Sequence, residues 1–142
     1  MTTKTLKRNV FQRLLGIPAT KTPGDADCWQ FNDGKLTVDL NAATELNAPW
    51  GAVCLSDESL PERVLLFRDD EDHFHAVQNK CSHAGRRLDP VPGTECVQCC
   101  SMGKSTFSAE DGTVISGSTK KPIKVYTVAH ENDTLTIVGL KA

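Results

Sequence analysis

Short apolar runs separated by turn-forming residues recur along the chain from position 29 to position 138. The first two runs, residues 29–31 and 35–40, flank Asn32-Asp33-Gly34, where Asp-Gly takes the positive φ values that a tight hairpin turn needs. Short strands with frequent turns are typical of an antiparallel β sandwich or barrel. The pattern therefore predicts an all-β fold. The remaining predicted strands are residues 52–55, 64–68, 73–78, 107–110, 113–116, 124–129 and 135–138.

The chain begins with a different pattern. Residues 3–15 predict a short amphipathic helix with basic residues around its polar side, and Gly16 and Pro18 end it. Such a helix packs on its own domain or on a second copy, forming a homo-oligomer, or it docks on a membrane surface or a partner. We expect residues 1–27 to be this helix and a polar linker, and residues 28–142 to be the β domain. The apolar side consists of Leu6, Val10, Phe11, Leu14 and Leu15.

Two stretches between the predicted strands have distinctive compositions. Residues 88–93 contain two prolines and a glycine, which predict a connection without regular structure. Residues 69–72 are four adjacent acidic residues between two predicted strands. Because like charges at a turn tip repel one another into water, we expect a solvated loop there.

The length and composition limit the possible classes of protein. A chain of 142 residues fits one domain. It contains no apolar run of about eighteen residues, which a membrane span requires, and no signal-peptide pattern, so we expect a cytoplasmic protein. The six cysteines then favour metal ligands or buried thiols over disulfides, because the cytosol keeps thiols reduced. Cys28 and Cys54 lie in apolar surroundings and are expected to be ordinary buried residues.

The charge is unevenly distributed. The net charge is −2, but residues 1–21 carry five basic residues and no acidic one, which leaves −7 on the remainder. An acidic body repels nucleic acid and suits electrostatic docking to a basic partner.

The cysteines and one histidine form two groups. Cys81-Ser82-His83 places a thiol and an imidazole two residues apart, and Cys96, Cys99 and Cys100 lie within five residues of one another. Thiolate sulfur together with neutral imidazole suits iron or zinc. The two groups therefore predict a metal site formed by two loops.

These groups resemble the cluster loops of Rieske-type [2Fe-2S] proteins, in which C-x-H is followed after a spacer by C-x-x-H. Fifteen residues separate His83 from Cys99, and the resemblance covers roughly residues 35–140. It implies a Rieske-like antiparallel β sandwich or barrel with two hairpin loops that bind one [2Fe-2S] cluster. Cys81 and Cys99 would bind one iron, and His83 the other.

The second histidine of the family pattern is absent. Alignment on Cys99 places Met102 at that position, and alignment on Cys100 places Gly103 there. Cys100, the nearest thiol, is the preferred fourth ligand, which would give a site of Cys81, His83, Cys99 and Cys100. The other candidates are Met102, a poor ligand for ferric iron, together with His73, His75, His130 and Cys96.

The resemblance implies a small electron carrier, not an enzyme by itself, with a redox partner protein such as a reductase or an oxygenase-like acceptor. Two alternatives stay open: a subunit that kept the fold without the cluster, and a thiol or zinc sensor. Arg86 and Arg87 follow the first loop, where they either guide an acidic partner or pair with Asp89 or Glu95.

Overall fold

The structure is a computed structural model that describes residues 19–82, 85–100, 104–117 and 121–140. Within these ranges the chain forms short strands and a single turn of 3-10 helix at Thr44–Asn47. The predicted helix over residues 3–15 lies outside them, so that helix and an oligomer formed through it stay predictions. The strands are β1 (Trp29–Asn32), β2 (Lys35–Asp39), β3 (Ala52–Leu55), β4 (Val64–Arg68), β5 (Phe74–Gln78), β6 (Leu88–Val91), β7 (Cys96–Cys99), β8 (Thr106–Ser108), β9 (Val114–Ser116), β10 (Val125–Glu131) and β11 (Thr134–Val138).

The strands form two antiparallel sheets. The larger sheet has the order β1-β2-β11-β10-β5-β4-β3, and the smaller one has the order β6-β7-β8-β9. Asp33 and Gly34 have φ values of 51° and 77°, so the first hairpin has the two-residue turn that its sequence predicts. The predicted all-β antiparallel fold is confirmed.

Strand β4 separates two apolar cores. Successive side chains of a strand point to opposite faces. Accordingly, Val64 and Leu66 join the core formed by β2, β3 and β11, whereas Leu65 and Phe67 join the core beneath the smaller sheet. The second core also contains Cys81 and Cys99. The continuous apolar run of β4 is therefore explained by burial on both faces.

The prediction that residues 88–93 lack regular structure is wrong. Leu88–Val91 is strand β6, in which Pro90 stands opposite Val97 of β7. Because β6 is the edge strand of its sheet, only one of its sides pairs, and proline is tolerated on such strands. The strand lies directly after the first cysteine loop, so it fixes where that loop ends.

The acidic tip is also not uniformly solvated, contrary to the sequence prediction. Asp69 is buried, and its carboxylate accepts hydrogen bonds from the backbone N–H groups of Glu71 (2.8 Å) and His73 (2.9 Å). Nε2 of His75 lies 3.0 Å from the same carboxylate. Burial raises the pKa of Asp69, but these hydrogen bonds outweigh it and hold the pKa at about 2. The tip is therefore organised around one buried carboxylate.

Residues 19–21 are attached to the β domain. The backbone N–H groups of Ala19 and Thr20 donate to the buried Asp89 carboxylate at 2.9 and 2.8 Å, and Cys54 N–H donates to Lys21 O at 2.9 Å. None of the helices in the described ranges has the length and apolar character that crossing a membrane requires.

Two glycines with left-handed backbone allow a matched stability test. Gly112 and Gly34 have φ values of 81° and 77°, but a Cβ at Gly112 would lie 2.0 Å from Ile123 O, whereas nothing lies within 4 Å at Gly34. The backbone strain of alanine, about 1–2 kcal/mol, is common to both positions. We expect Gly112→Ala to lower the free energy of unfolding by at least about 2 kcal/mol more than Gly34→Ala does, measured by urea denaturation. Equal effects would contradict the packing described.

Candidate metal centre

The first cysteine loop joins β5 to β6 and closes on itself at Cys81. Cys81 N–H donates to Arg86 O at 2.7 Å, and Gly85 N–H donates to Cys81 O at 2.8 Å. Gly85 has a φ of 69°, which glycine adopts without strain. Cys81 is 1% exposed, and His83 lies outside the described residues. The loop therefore presents its cysteine toward the protein interior.

Asn79 and Arg63 hold both ends of this loop. Asn79 is buried; its Oδ1 accepts from Leu88 N–H at 2.6 Å, and its Nδ2 donates to Cys54 Sγ at 3.0 Å. The Arg63 guanidinium donates to the carbonyl oxygens of Asn79 (2.9 and 3.0 Å) and Gly85 (3.0 Å). Sequence reasoning missed both residues. A polar residue at the end of an apolar strand, two positions before Cys81, is the signal that points to Asn79, whereas nothing in the sequence singles out Arg63.

The second cysteine loop follows β7 and is hydrogen-bonded to the first. Cys99 stands opposite Leu88 in the β6–β7 register, and its N–H donates to Ser105 O at 2.7 Å. Cys100 N–H donates to Arg87 O at 3.1 Å. Because adjacent carbonyl groups, those of Arg86 and Arg87, accept from Cys81 and Cys100, the two loops are joined backbone to backbone.

This arrangement brings two of the predicted ligands together. Cys81 and Cys99 belong to one buried apolar cluster, and each is 1% exposed. Cys100 is also 1% exposed. Buried thiols at the meeting point of two loops fit a thiolate-bound iron, since an apolar shell controls solvent access and the redox properties of such sites. Their neighbours in the cluster are Leu65, Phe67, Val77, Leu88, Val97, Phe107, Ala109 and Ile123.

The electrostatic surroundings of Cys100 favour its thiolate. The Cys99 side chain hydrogen-bonds the Cys100 sulfur, and this is the main reason why the Cys100 pKa is lowered to about 7; the positive charge of Arg86 acts in the same direction. Burial and the charge of Asp89 oppose the shift. By contrast, burial raises the pKa values of Cys28, to about 11, and of Cys96. Cys100 therefore has the character of a ligand thiol, because the thiolate is the form that binds metal.

The other candidate ligands are placed as follows. The His75 ring bonds Asp69 and stacks on Phe67, at the end of β5 away from Cys81. His130 packs edge-on against Phe74. Cys96 is half-buried at the start of β7, whereas Cys99 ends that strand. Met102 and Gly103 lie outside the described residues.

In the ranges that the structure covers, no three His, Cys, Asp or Glu side chains form a group that could hold a metal ion. That statement does not extend to His83.

Comparison with known proteins identifies the family. The profile of the Rieske [2Fe-2S] domain matches residues 41–127, more than half of the chain. The chain belongs to the Rieske [2Fe-2S] domain family. Members of this family bind a [2Fe-2S] cluster. No curated protein sequence matches this Rieske chain.

Solved structures share the fold of this Rieske domain. The ferredoxin of carbazole 1,9a-dioxygenase from Nocardioides aromaticivorans IC177 is 18% identical with a TM-score of 0.55, over 66% of this chain and 91% of that one. A putative NADH-dependent nitrite reductase small subunit from Mycobacterium tuberculosis is 20% identical with a TM-score of 0.52, over 67% and 88%. One chain of the reduced complex between oxygenase and ferredoxin in carbazole 1,9a-dioxygenase is 18% identical with a TM-score of 0.59. This match covers 76% of the present chain and 29% of that one.

The lowered pKa of Cys100 predicts a thiolate titration in the metal-free Rieske domain. We expect one thiol to ionise near pH 7 instead of the usual 9.0, seen as ultraviolet thiolate absorbance. Because the folded-state pKa is depressed, its contribution to stability is fully present above the unfolded pKa and is lost as pH falls through about 7.

Cys100→Ser should remove this titration step, and Cys96→Ser should retain it, because burial raises the Cys96 pKa. A step near pH 7 that persists in Cys100→Ser would contradict the assignment.

Proposed function

We propose that this Rieske domain is an electron carrier that binds one [2Fe-2S] cluster through Cys81, His83, Cys99 and Cys100. The observation that carries the proposal is the burial of Cys81 and Cys99 in one apolar cluster, at the starts of two loops that are hydrogen-bonded to each other. When bound, such a cluster accepts and releases one electron at a time.

The surrounding residues would hold these ligands in place and keep water away from them. Arg63 and Asn79 fix the ends of the first loop, so Cys81 would keep its position when the charge at the site changes. Phe67 and Phe107 are fully buried in the same cluster as Cys81 and Cys99, which limits access of water to both thiols. Little structural rearrangement would then accompany electron transfer.

A third thiolate has a predictable effect on the redox potential. Two thiolates balance the charge of an oxidised [2Fe-2S] core, whereas three leave a net negative charge that disfavours a further electron. We therefore expect a potential below the range of about −150 to +300 mV that centres with two histidines show. With His83 as the single imidazole ligand, the pH dependence of the potential should also be weaker, because only one titrating ring is coupled to the electron.

A redox partner protein, either a reductase or an oxygenase-like acceptor, completes this proposal. Structural likeness to a ferredoxin of carbazole 1,9a-dioxygenase, and to a chain in the complex between oxygenase and ferredoxin of that type of enzyme, supports such a partner. The alternative that the sequence also allowed is a subunit of a redox enzyme without the cluster, and likeness to a putative nitrite reductase small subunit fits the subunit part of that alternative. We prefer the carrier, because three buried thiols at one loop junction, one with a lowered pKa, match ligands better than idle structural residues.

Substitution of single cysteines tests the carrier. Protein purified without oxygen should contain iron and acid-labile sulfide in equal amounts and give the electron paramagnetic resonance signal of a reduced [2Fe-2S] cluster. Cys81→Ser should abolish iron binding, and Cys100→Ser should change the spectrum and raise the potential. Cys96→Ser serves as the control, because this half-buried cysteine lies at the other end of β7.

Each alternative gives a different result. Colourless, iron-free protein would support the structural subunit, and bound zinc would support the sensor. A cluster spectrum that is the same with and without Cys100→Ser would remove Cys100 from the ligand set.

A further inference from the structure

The two cysteine loops carry exposed basic residues whose main chains are part of the site. The carbonyl oxygens of Arg86 and Arg87 accept the N–H groups of Cys81 and Cys100 at 2.7 and 3.1 Å, and both arginine side chains are exposed. Main-chain bonds to the cysteines therefore hold the backbone of both arginines beside the site, and their exposed side chains start from there.

Three lysines extend this positive surface. Lys104 precedes Ser105, whose carbonyl oxygen accepts from Cys99 N–H, and Lys121 O accepts from Ser82 Oγ at 2.6 Å. The Cε atom of Lys80 lies 3.6 Å from the position that a Cβ would occupy at Gly85. All three lysines are exposed. We call the surface formed by Lys80, Arg86, Arg87, Lys104 and Lys121 the basic rim.

Asp89 and Glu62 each have hydrogen-bond partners outside the basic rim. The Asp89 carboxylate is buried and accepts from Ala19 N–H and Thr20 N–H. Glu62 pairs with Lys124 and also accepts from the Tyr126 hydroxyl. All five side chains of the basic rim are exposed, so a partner in solution can reach their charges.

The opposite ends of the same strands are acidic. Strand β5 runs from the tip containing Asp70, Glu71 and Asp72 toward Cys81, and β7 runs from Glu95 toward Cys99. Glu95 hydrogen-bonds Glu110, which raises the Glu95 pKa. Among the described residues, basic side chains therefore lie at the cysteine loops and acidic side chains lie at the far ends of β5 and β7.

We propose that the basic rim is the docking surface for a partner protein with a compact acidic patch, and that it brings this partner against the cysteine loops. The proposal deepens the electron-carrier function and rests on it for the partner's redox role. Complementary charge steers such encounters and sets their orientation. A long polyanion such as DNA fits less well, because the chain as a whole carries a net charge of −2 and repels nucleic acid.

A labelled decamer of glutamate serves as the probe, and its binding to the protein as purified is measured by fluorescence anisotropy. We expect binding that weakens with added salt, since exposed charges are screened. Arg87→Glu should weaken binding by about five- to tenfold. Lys35→Glu is the matched control, because it changes the net charge equally at an exposed residue of β2, and it should have a much smaller effect.

The outcomes separate the docking surface from the redox function. Equal loss of binding in Arg87→Glu and Lys35→Glu, no binding at all, or tighter binding of a duplex DNA of equal charge would overturn the basic rim as a protein-docking surface. Decamer binding through the rim by iron-free protein would keep the docking surface and reject the carrier. For the iron-loaded protein, oxidation by ferricyanide, an anion, should slow with increasing salt in the wild type and be slower in Arg87→Glu than in Lys35→Glu.

Discussion

Asn79 is the residue on which the geometry of the metal centre most depends. It directly follows β5, the strand that leads into the first cysteine loop. It is buried, and it has hydrogen-bond partners for its amide side chain and for its main chain. Its side-chain oxygen holds Leu88, the residue that stands opposite Cys99 in the smaller sheet. One buried amide therefore links the position of Cys81 to that of Cys99. A buried polar group costs free energy unless all its bonds are made, which limits the arrangements that this junction tolerates.

The strands were predictable wherever local chemistry decided the outcome. The Asp33-Gly34 hairpin follows from the backbone preferences of its own residues, and β4 follows from an apolar run. Strand β6 was not predictable in this way. Pro90 argues against a strand locally, and only the position of β6 at a sheet edge, which is a property of the whole fold, makes this proline acceptable. The buried carboxylate of Asp69 escaped prediction for a related reason, since its hydrogen-bond partners include a histidine six residues away.

The candidate site was predictable to a similar extent. The spacing of Cys81 and Cys99 already indicated two converging loops, and the structure places both cysteines in one buried cluster. The hydrogen bond that lowers the pKa of Cys100 depends on how the second loop turns. Arg63, which hydrogen-bonds Asn79, lies sixteen positions earlier in the chain. Neither feature leaves a pattern in the sequence. The basic rim was visible in part as Arg86 and Arg87, but its extent became apparent only when Lys104 and Lys121 were placed beside the same loops.

A ligand set of three cysteines and one histidine makes the two irons of the cluster chemically different, because Cys81 and Cys99 would bind one iron while His83 and Cys100 bind the other. Mössbauer spectroscopy of the oxidised protein, loaded with the appropriate iron isotope, observes each iron separately. The account predicts two ferric signals of equal intensity that differ because a single imidazole binds one iron. A single class of iron with only sulfur ligands, or a protein that binds no iron, would contradict it.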